Sequence, residues 1–213
     1  MFEELESVLT AFTAGLSLIT VSELGDKTFF IAAILAMRHP RRWVFTGSVL
    51  ALALMTVLSV LLGQTASLFP RALMHYLEVA LLAGFGLKLL YDAKQMPAQN
   101  ACDEAEEAMN VVKEAEAKLP QRQTWLAICI EAFTLTFVAE WGDRTQFTTI
   151  FLSAAHNPVG VTLGAILGHA ICAAIAVFSG RMLCQRISER LMTVVGGLLF
   201  LIFAGAAWLE GSH

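Results

Sequence analysis

The chain has 213 residues, 57% of them hydrophobic and 15% charged, and its mean hydropathy of +0.66 lies far above that of a soluble globular domain. Its net charge of −4 is spread over loops and gathers into no basic stripe, so nothing points to a nucleic-acid partner. No polar segment is large enough to house a conventional active site. The expectation is an all-α integral membrane protein that is not an enzyme.

A spanning helix needs about 20 mostly apolar residues, and the sequence supplies six such runs, at 8–37, 43–63, 72–92, 124–154, 158–180 and 190–209. The start, MFEELES, is acidic where a cleavable signal would carry Lys or Arg, and the run after it is too long for a signal core. Within that first run, SELGDKTFF (residues 22–30) places Glu23, Asp26 and Lys27 near the expected bilayer midplane. Between the third and fourth runs, residues 93–123 contain DEAEEAMNVVKEAEAKL, which reads as a solvated, partly helical cytoplasmic linker. Its loss should be tolerated better than any change in residues 22–30. The fourth run carries AEWGDRTQF (139–147), with Glu140, Asp143 and Arg144 at a matching depth. Glu131 and His169, inside the fourth and fifth runs, are candidates either for a secondary proton path or for satisfied packing or lumen-facing groups. Cys102, Cys129, Cys172 and Cys184 have no metal-type spacing and read as apolar filler or free thiols.

The second half repeats the first. A shift of 117 residues lays Glu140 on Glu23, Gly142 on Gly25, Asp143 on Asp26, Arg144 on Lys27 and Thr145 on Thr28. The register holds through His39 and His156, Gly47 and Gly164, and Gly63 and Gly180, and a one-residue insertion then brings Phe203 onto Phe85. Residues 1–92 and 124–213 are thus two three-helix repeats, and three crossings apiece give them opposite orientations in the membrane. Orientation follows from the basic residues. Arg38, Arg41 and Arg42, then Lys88, Lys94, Lys113, Lys118 and Arg122, then Arg181, Arg186 and Arg190 fall on one side, and only Arg71 on the other. That side is read as cytoplasmic, with both termini outside. His39 and His156, at helix ends on opposite faces, read as interfacial residues.

Ionisable groups at the bilayer midplane cost several kcal/mol each unless paired, hydrated or bound to an ion. Glu23 and Asp26 are three residues apart, as are Glu140 and Asp143, so on a helix each pair shares a face and two such faces converge across the repeat axis. Gly25 and Gly142 let helices approach closely or let the backbone unwind there. Four carboxylates, the Thr28 and Thr145 hydroxyls and the Gln146 amide make an oxygen-rich set with no imidazole or thiolate, the set that Ca²⁺, Mn²⁺ and Mg²⁺ choose. Lys27 and Arg144 either pair with these acids when the site is empty or reach the opposite repeat and hold the motifs in register. Protons and metal compete for the same oxygens, which is the physical basis of exchange.

The segments SELGDKTFFIAAILAMRHP and AEWGDRTQFTTIFLSAAHNP resemble the two signature stretches, ExGD[KR][TS] in each half, of the calcium:cation antiporter-2 family of small cation/proton exchangers in Golgi, chloroplast and bacterial membranes. The resemblance covers both repeats. It implies a Mn²⁺ and Ca²⁺ transporter driven by counter-moving protons, with Glu23, Asp26, Glu140 and Asp143 as the cation site and Thr28, Thr145 and Gln146 in support. No cofactor is implied, since the ion is cargo; the partners are that ion and the lipid bilayer, and oligomeric state stays open. Gln146 faces Phe29 across the repeats, so the site is expected to be asymmetric. The organelle-targeted members' long N-terminal extension is absent, which favours a bacterial plasma-membrane exporter of Mn²⁺. A Ca²⁺-preferring exchanger and an exporter of organic cations or amino acids are the alternatives.

Overall fold

A computed structural model describes residues 2–95, 103–117, 124–183 and 189–210; Cys102, Cys184, Lys118, Arg122 and Arg186 lie outside them. The described residues form helices and no strands: α1 (Phe2–Glu23), α2 (Lys27–Arg38), α3 (Arg41–Ala66), α4 (Arg71–Gln95), α5 (Asp103–Glu116), α6 (Trp125–Ala139), α7 (Arg144–Ala155), α8 (Pro158–Leu183) and α9 (Glu189–Glu210). Five of these are long and apolar enough to span a membrane, and α6 with α7, bent by 74°, brings the number to six if the pair counts as one span. Leu50, Leu61, Leu163, Phe178 and Ile202 stand exposed on the outer faces, the surface a bilayer would cover. The protein is an all-helical, multi-pass membrane protein.

The runs expected as single helices at 8–37 and 124–154 are each two helices. The ladder of α1 ends at Glu23, Gly25 takes φ +84°, and Asp26 starts α2 from an extended backbone (φ −79°, ψ 169°). The second break repeats the first closely, with Gly142 at φ +83° and Asp143 at φ −77°, ψ 168°. A side chain at such a φ costs roughly 1–2 kcal/mol, and glycine avoids that cost. The Asp26 amide donates to the Glu23 carbonyl and the Asp143 amide to the Glu140 carbonyl, both at 3.2 Å, which closes each bend. At its far end α2 stops where His39 turns extended before Pro40, and α7 stops likewise at His156 ahead of Pro158.

Packing crosses between the halves. Helix α1 lies along α8 and α6 along α3; α2 packs on α8 and α7 on α3; α3 meets α8, and α4 meets α9. Two sequence-matched glycines come nearest to the backbone of a facing helix. A methyl at Gly47 would collide with the Cys129 carbonyl oxygen of α6, and one at Gly164 with the Phe12 carbonyl oxygen of α1.

Helix α2 is buried at every position from Thr28 to Ala36. Part of its cover is α5, the segment expected to be solvated. Ala108 and Val112, one helical turn apart, are fully buried against the α2 cluster, with Ala105, Met109 and Val111 beside them. Glu106, Lys113 and Glu114 keep the opposite face polar and exposed. The acidic linker is therefore an amphipathic helix docked on α2, and removing it uncovers apolar surface there.

Candidate cation site

The two breaks bring the motif acids inward. Glu23, at the end of α1, and Glu140, the C-cap of α6, are 2% and 1% exposed. Each accepts a hydrogen bond from the threonine five residues on: Thr28 Oγ1 donates to Glu23 Oε2 at 3.0 Å, and Thr145 Oγ1 to Glu140 Oε2 at 3.1 Å. The other oxygen of each carboxyl, Oε1, is buried with no hydrogen-bond partner among the described residues. Buried polar atoms are nearly always paired, so each of these two oxygens calls for a partner.

Asp26 and Asp143 sit at the N-termini of α2 and α7, where the helix dipole favours negative charge, yet neither side chain caps its own helix. Glu23, Asp26 and Asp143 each offer an oxygen within 4.8 Å of the others. Glu140 is not part of that trio, although it lies close enough to Glu23, Asp26 and Asp143 to feel the charge of each. A divalent cation fits the trio, because three carboxylate oxygens in low dielectric need positive charge among them.

One cation is already there. Arg144 Nη2 donates to Asp26 Oδ1 at 3.1 Å, from one motif to the other, and its Nε lies 3.8 Å from Asp143 Oδ1. Lys27, its counterpart, instead pairs with Glu107 of the docked α5. Of the two roles open to the motif bases, Arg144 takes both, and Lys27 ties α2 to the linker. Gln146 is turned elsewhere: its Oε1 accepts from the Gly142 amide at 2.7 Å and its Nε2 donates to Met55 Sδ at 3.1 Å. The amide expected to support an ion braces the second break.

A cavity of about 600 Å³ reaches Asp26, Lys27, Asp143 and Arg144 from the end of α4 that carries Lys88 and Asp92. Glu23 and Glu140 do not line it and lie deeper.

Three acid–histidine approaches complete the interior. His156 Nε2 is 3.1 Å from Glu78 Oε1, His39 Nε2 is 3.9 Å from Glu131 Oε2, and His169 Nδ1 is 3.9 Å from Glu23 Oε1. The two histidines expected at interfaces thus reach buried acids. Glu131 keeps to the His39 end of α2, away from the motif acids, whereas His169 of α8 stands beside Glu23, with Cys172 one turn on donating to the Thr20 carbonyl at 3.2 Å. An imidazole does belong to the surroundings of the motif acids. Its only trace in the sequence is a lone histidine in an otherwise small and apolar helix.

Buried carboxylates at paired helix breaks, inside a multi-pass helical protein, define a membrane transporter of cations. A family model described as divalent cation/proton antiporter GDT1 matches residues 11–97 and 128–213, and the chain belongs to that family. It is 56% identical over 201 residues to GDT1-like protein sll0615 of Synechocystis sp., covering 94% of this chain and 98% of that protein. It is 42% identical to GDT1-like protein 3 of Arabidopsis thaliana, over 95% of this chain and 71% of the relative. With the chloroplastic protein PAM71-homolog of the same plant it shares 43% identity, over 93% and 59%. No solved structure matches the chain.

Proposed function

We propose that the protein exports Mn²⁺, with Ca²⁺ as a second cargo, from the cytoplasm of a bacterial cell across its plasma membrane in exchange for external protons. The observation that carries the reading is the pair of orphaned oxygens, Glu23 Oε1 and Glu140 Oε1, buried beside two aspartates. With the basic loops in the cytoplasm and both termini outside, the 600 Å³ cavity is the inward mouth. No bond is made or broken in this cycle.

In it, cargo enters past Lys88 and Asp92 and meets Asp26 and Asp143 first, displacing the Arg144 guanidinium from Asp26. Glu23 and Glu140 then complete the site, each held in place by its threonine. The halves, in opposite orientations, rock about the Gly25 and Gly142 bends, and protons from the other face take the same oxygens and release the ion. Domains 1–92 and 124–213 are the moving parts, and 93–123 rides on the first of them.

Purified protein in liposomes, with an interior dye for Mn²⁺ or Ca²⁺ and an imposed pH gradient, tests this reading. Wild-type flux coupled to proton movement, lost in Glu23→Gln and Glu140→Gln, is the expected result. Undiminished flux in both variants refutes the site. Ca²⁺ outcompeting Mn²⁺ in the same assay would favour the Ca²⁺-preferring alternative.

A further inference from the structure

We infer that His169 Nδ1 is a ligand of the transported cation, shared with Glu23, and that this nitrogen sets the preference for Mn²⁺ over Ca²⁺; the inference rests on the cation-transport reading above. His169 is 5% exposed in α8. It is carried by the close seat of α8 on α1, where a methyl on Gly168 would lie 3.0–3.2 Å from atoms of Thr20 and Leu16. Its Nδ1 has no hydrogen-bond partner among the described residues, and neither has Glu23 Oε1, the atom it faces at 3.9 Å.

That gap is too long for a hydrogen bond and leaves both atoms able to turn to a shared third partner. A dication with bonds of about 2.3 Å to each spans it at an angle of about 115°. Thr28 holds the other oxygen of Glu23, so Oε1 is the oxygen left to face the ion. The Cys172 thiol, one turn from His169, is engaged with the Thr20 carbonyl. The non-oxygen atom offered to the site is thus the imidazole nitrogen.

The chemistry of that atom discriminates between the two cargoes. Ca²⁺ is held by six to eight oxygens in known sites, and replacing one with nitrogen handicaps it. Mn²⁺ shares the taste for carboxylate oxygen with Ca²⁺, but as a first-row metal it also stands, at the weak end, in the affinity series for sites that include nitrogen. A single nitrogen in an oxygen-rich site therefore tilts selectivity without making release slow.

The test compares wild type with His169→Gln and His169→Ala in Mn²⁺/Ca²⁺ competition flux. It adds pulsed electron paramagnetic resonance of Mn²⁺ bound to the full-length protein, with and without ¹⁵N-labelled histidine. The expected result is a fall of about tenfold or more in the Mn²⁺:Ca²⁺ preference, the loss typical of weakened metal ligation, with Ca²⁺ flux retained. Nitrogen modulation should be present in wild type, altered by the isotope and absent in the variants. Should the variants fail to insert, the wild-type spectrum decides alone. An unchanged preference, or no histidine nitrogen at bound Mn²⁺, leaves only a water bridge between His169 and Glu23 and overturns the inference while the transport reading stands. Wild type that carries and binds neither ion sinks both.

Discussion

Replacing Gly25 with alanine isolates the conformational cost of the first helix break, because nothing lies within 4 Å of where the new methyl would sit. The whole penalty is then that of holding an L-residue at φ +84°, roughly 1–2 kcal/mol. Such a loss changes the ratio of folded to unfolded protein by a factor of about 5–30. Gly142→Ala should cost the same, since its φ is +83° and its surroundings are equally open. Asparagine tolerates this backbone region better than alanine, so Gly25→Asn should lose less. Gly47→Ala is the steric contrast. There the backbone is ordinary helix but the methyl meets the Cys129 carbonyl oxygen, so α3 and α6 must part, and both stability and flux should suffer more. Denaturant titration of detergent-solubilised protein measures all four, and flux in liposomes reports whether the bend still works. Gly25→Ala as stable as wild type, or Gly25→Asn worse than Gly25→Ala, would refute the left-handed bend.

Thr28→Val or Thr145→Val leaves Glu23 or Glu140 with a second unpaired oxygen and should destabilise by about 1–3 kcal/mol, read from the same titrations. Glu107→Gln removes a partly exposed ion pair and should change stability by less than about 1 kcal/mol. Val112→Asp, by contrast, should undock α5 and raise hydrogen exchange in both α5 and α2. Arg144→Gln frees Asp26 from its guanidinium and should lower the Mn²⁺ concentration for half-maximal flux. A value unchanged or raised would show that Arg144 does not compete with cargo.

The equivalence of the two motifs was legible in the sequence because it rests on local chemistry. Glu23 with Thr28 and Glu140 with Thr145 make the same bond, and the backbones of Asp26 and Asp143 agree within 2°. Whether Gly25 and Gly142 pack or unwind was left open, since TAGLSLITV and FFIAAILAM flank the first of them and keep the apolar run continuous. A glycine that packs and a glycine that turns look alike in one dimension. The docking of α5 was masked by its acidic composition: Ala108 and Val112 are a sparse stripe whose meaning depends on the α2 surface opposite. Gln146 has an amide suited to an ion, but the Gly142 amide left bare by the bend reaches it first. His169 meets Glu23 only through the packing of α8 on α1, a long-range contact that neither residue's neighbours announce.

That crossed packing bears on how the protein is made. Helix α1 finds its main partner in α8 and α3 finds its own in α6 and α7, so the first half reaches the membrane before the surfaces it needs exist. Until α6 is synthesised, the notch at Gly47 faces lipid, and the interior face of α1 waits for Gly160 and Gly164 of α8 to cover it. Helix insertion and helix assembly are thereby separated in time, as they are wherever membrane helices associate by close contact of small residues. Two half-chains produced as separate polypeptides should each insert yet reach a stable form only together. Biogenesis should then be slowest, and degradation most active, in the interval between the end of α4 and the arrival of α8.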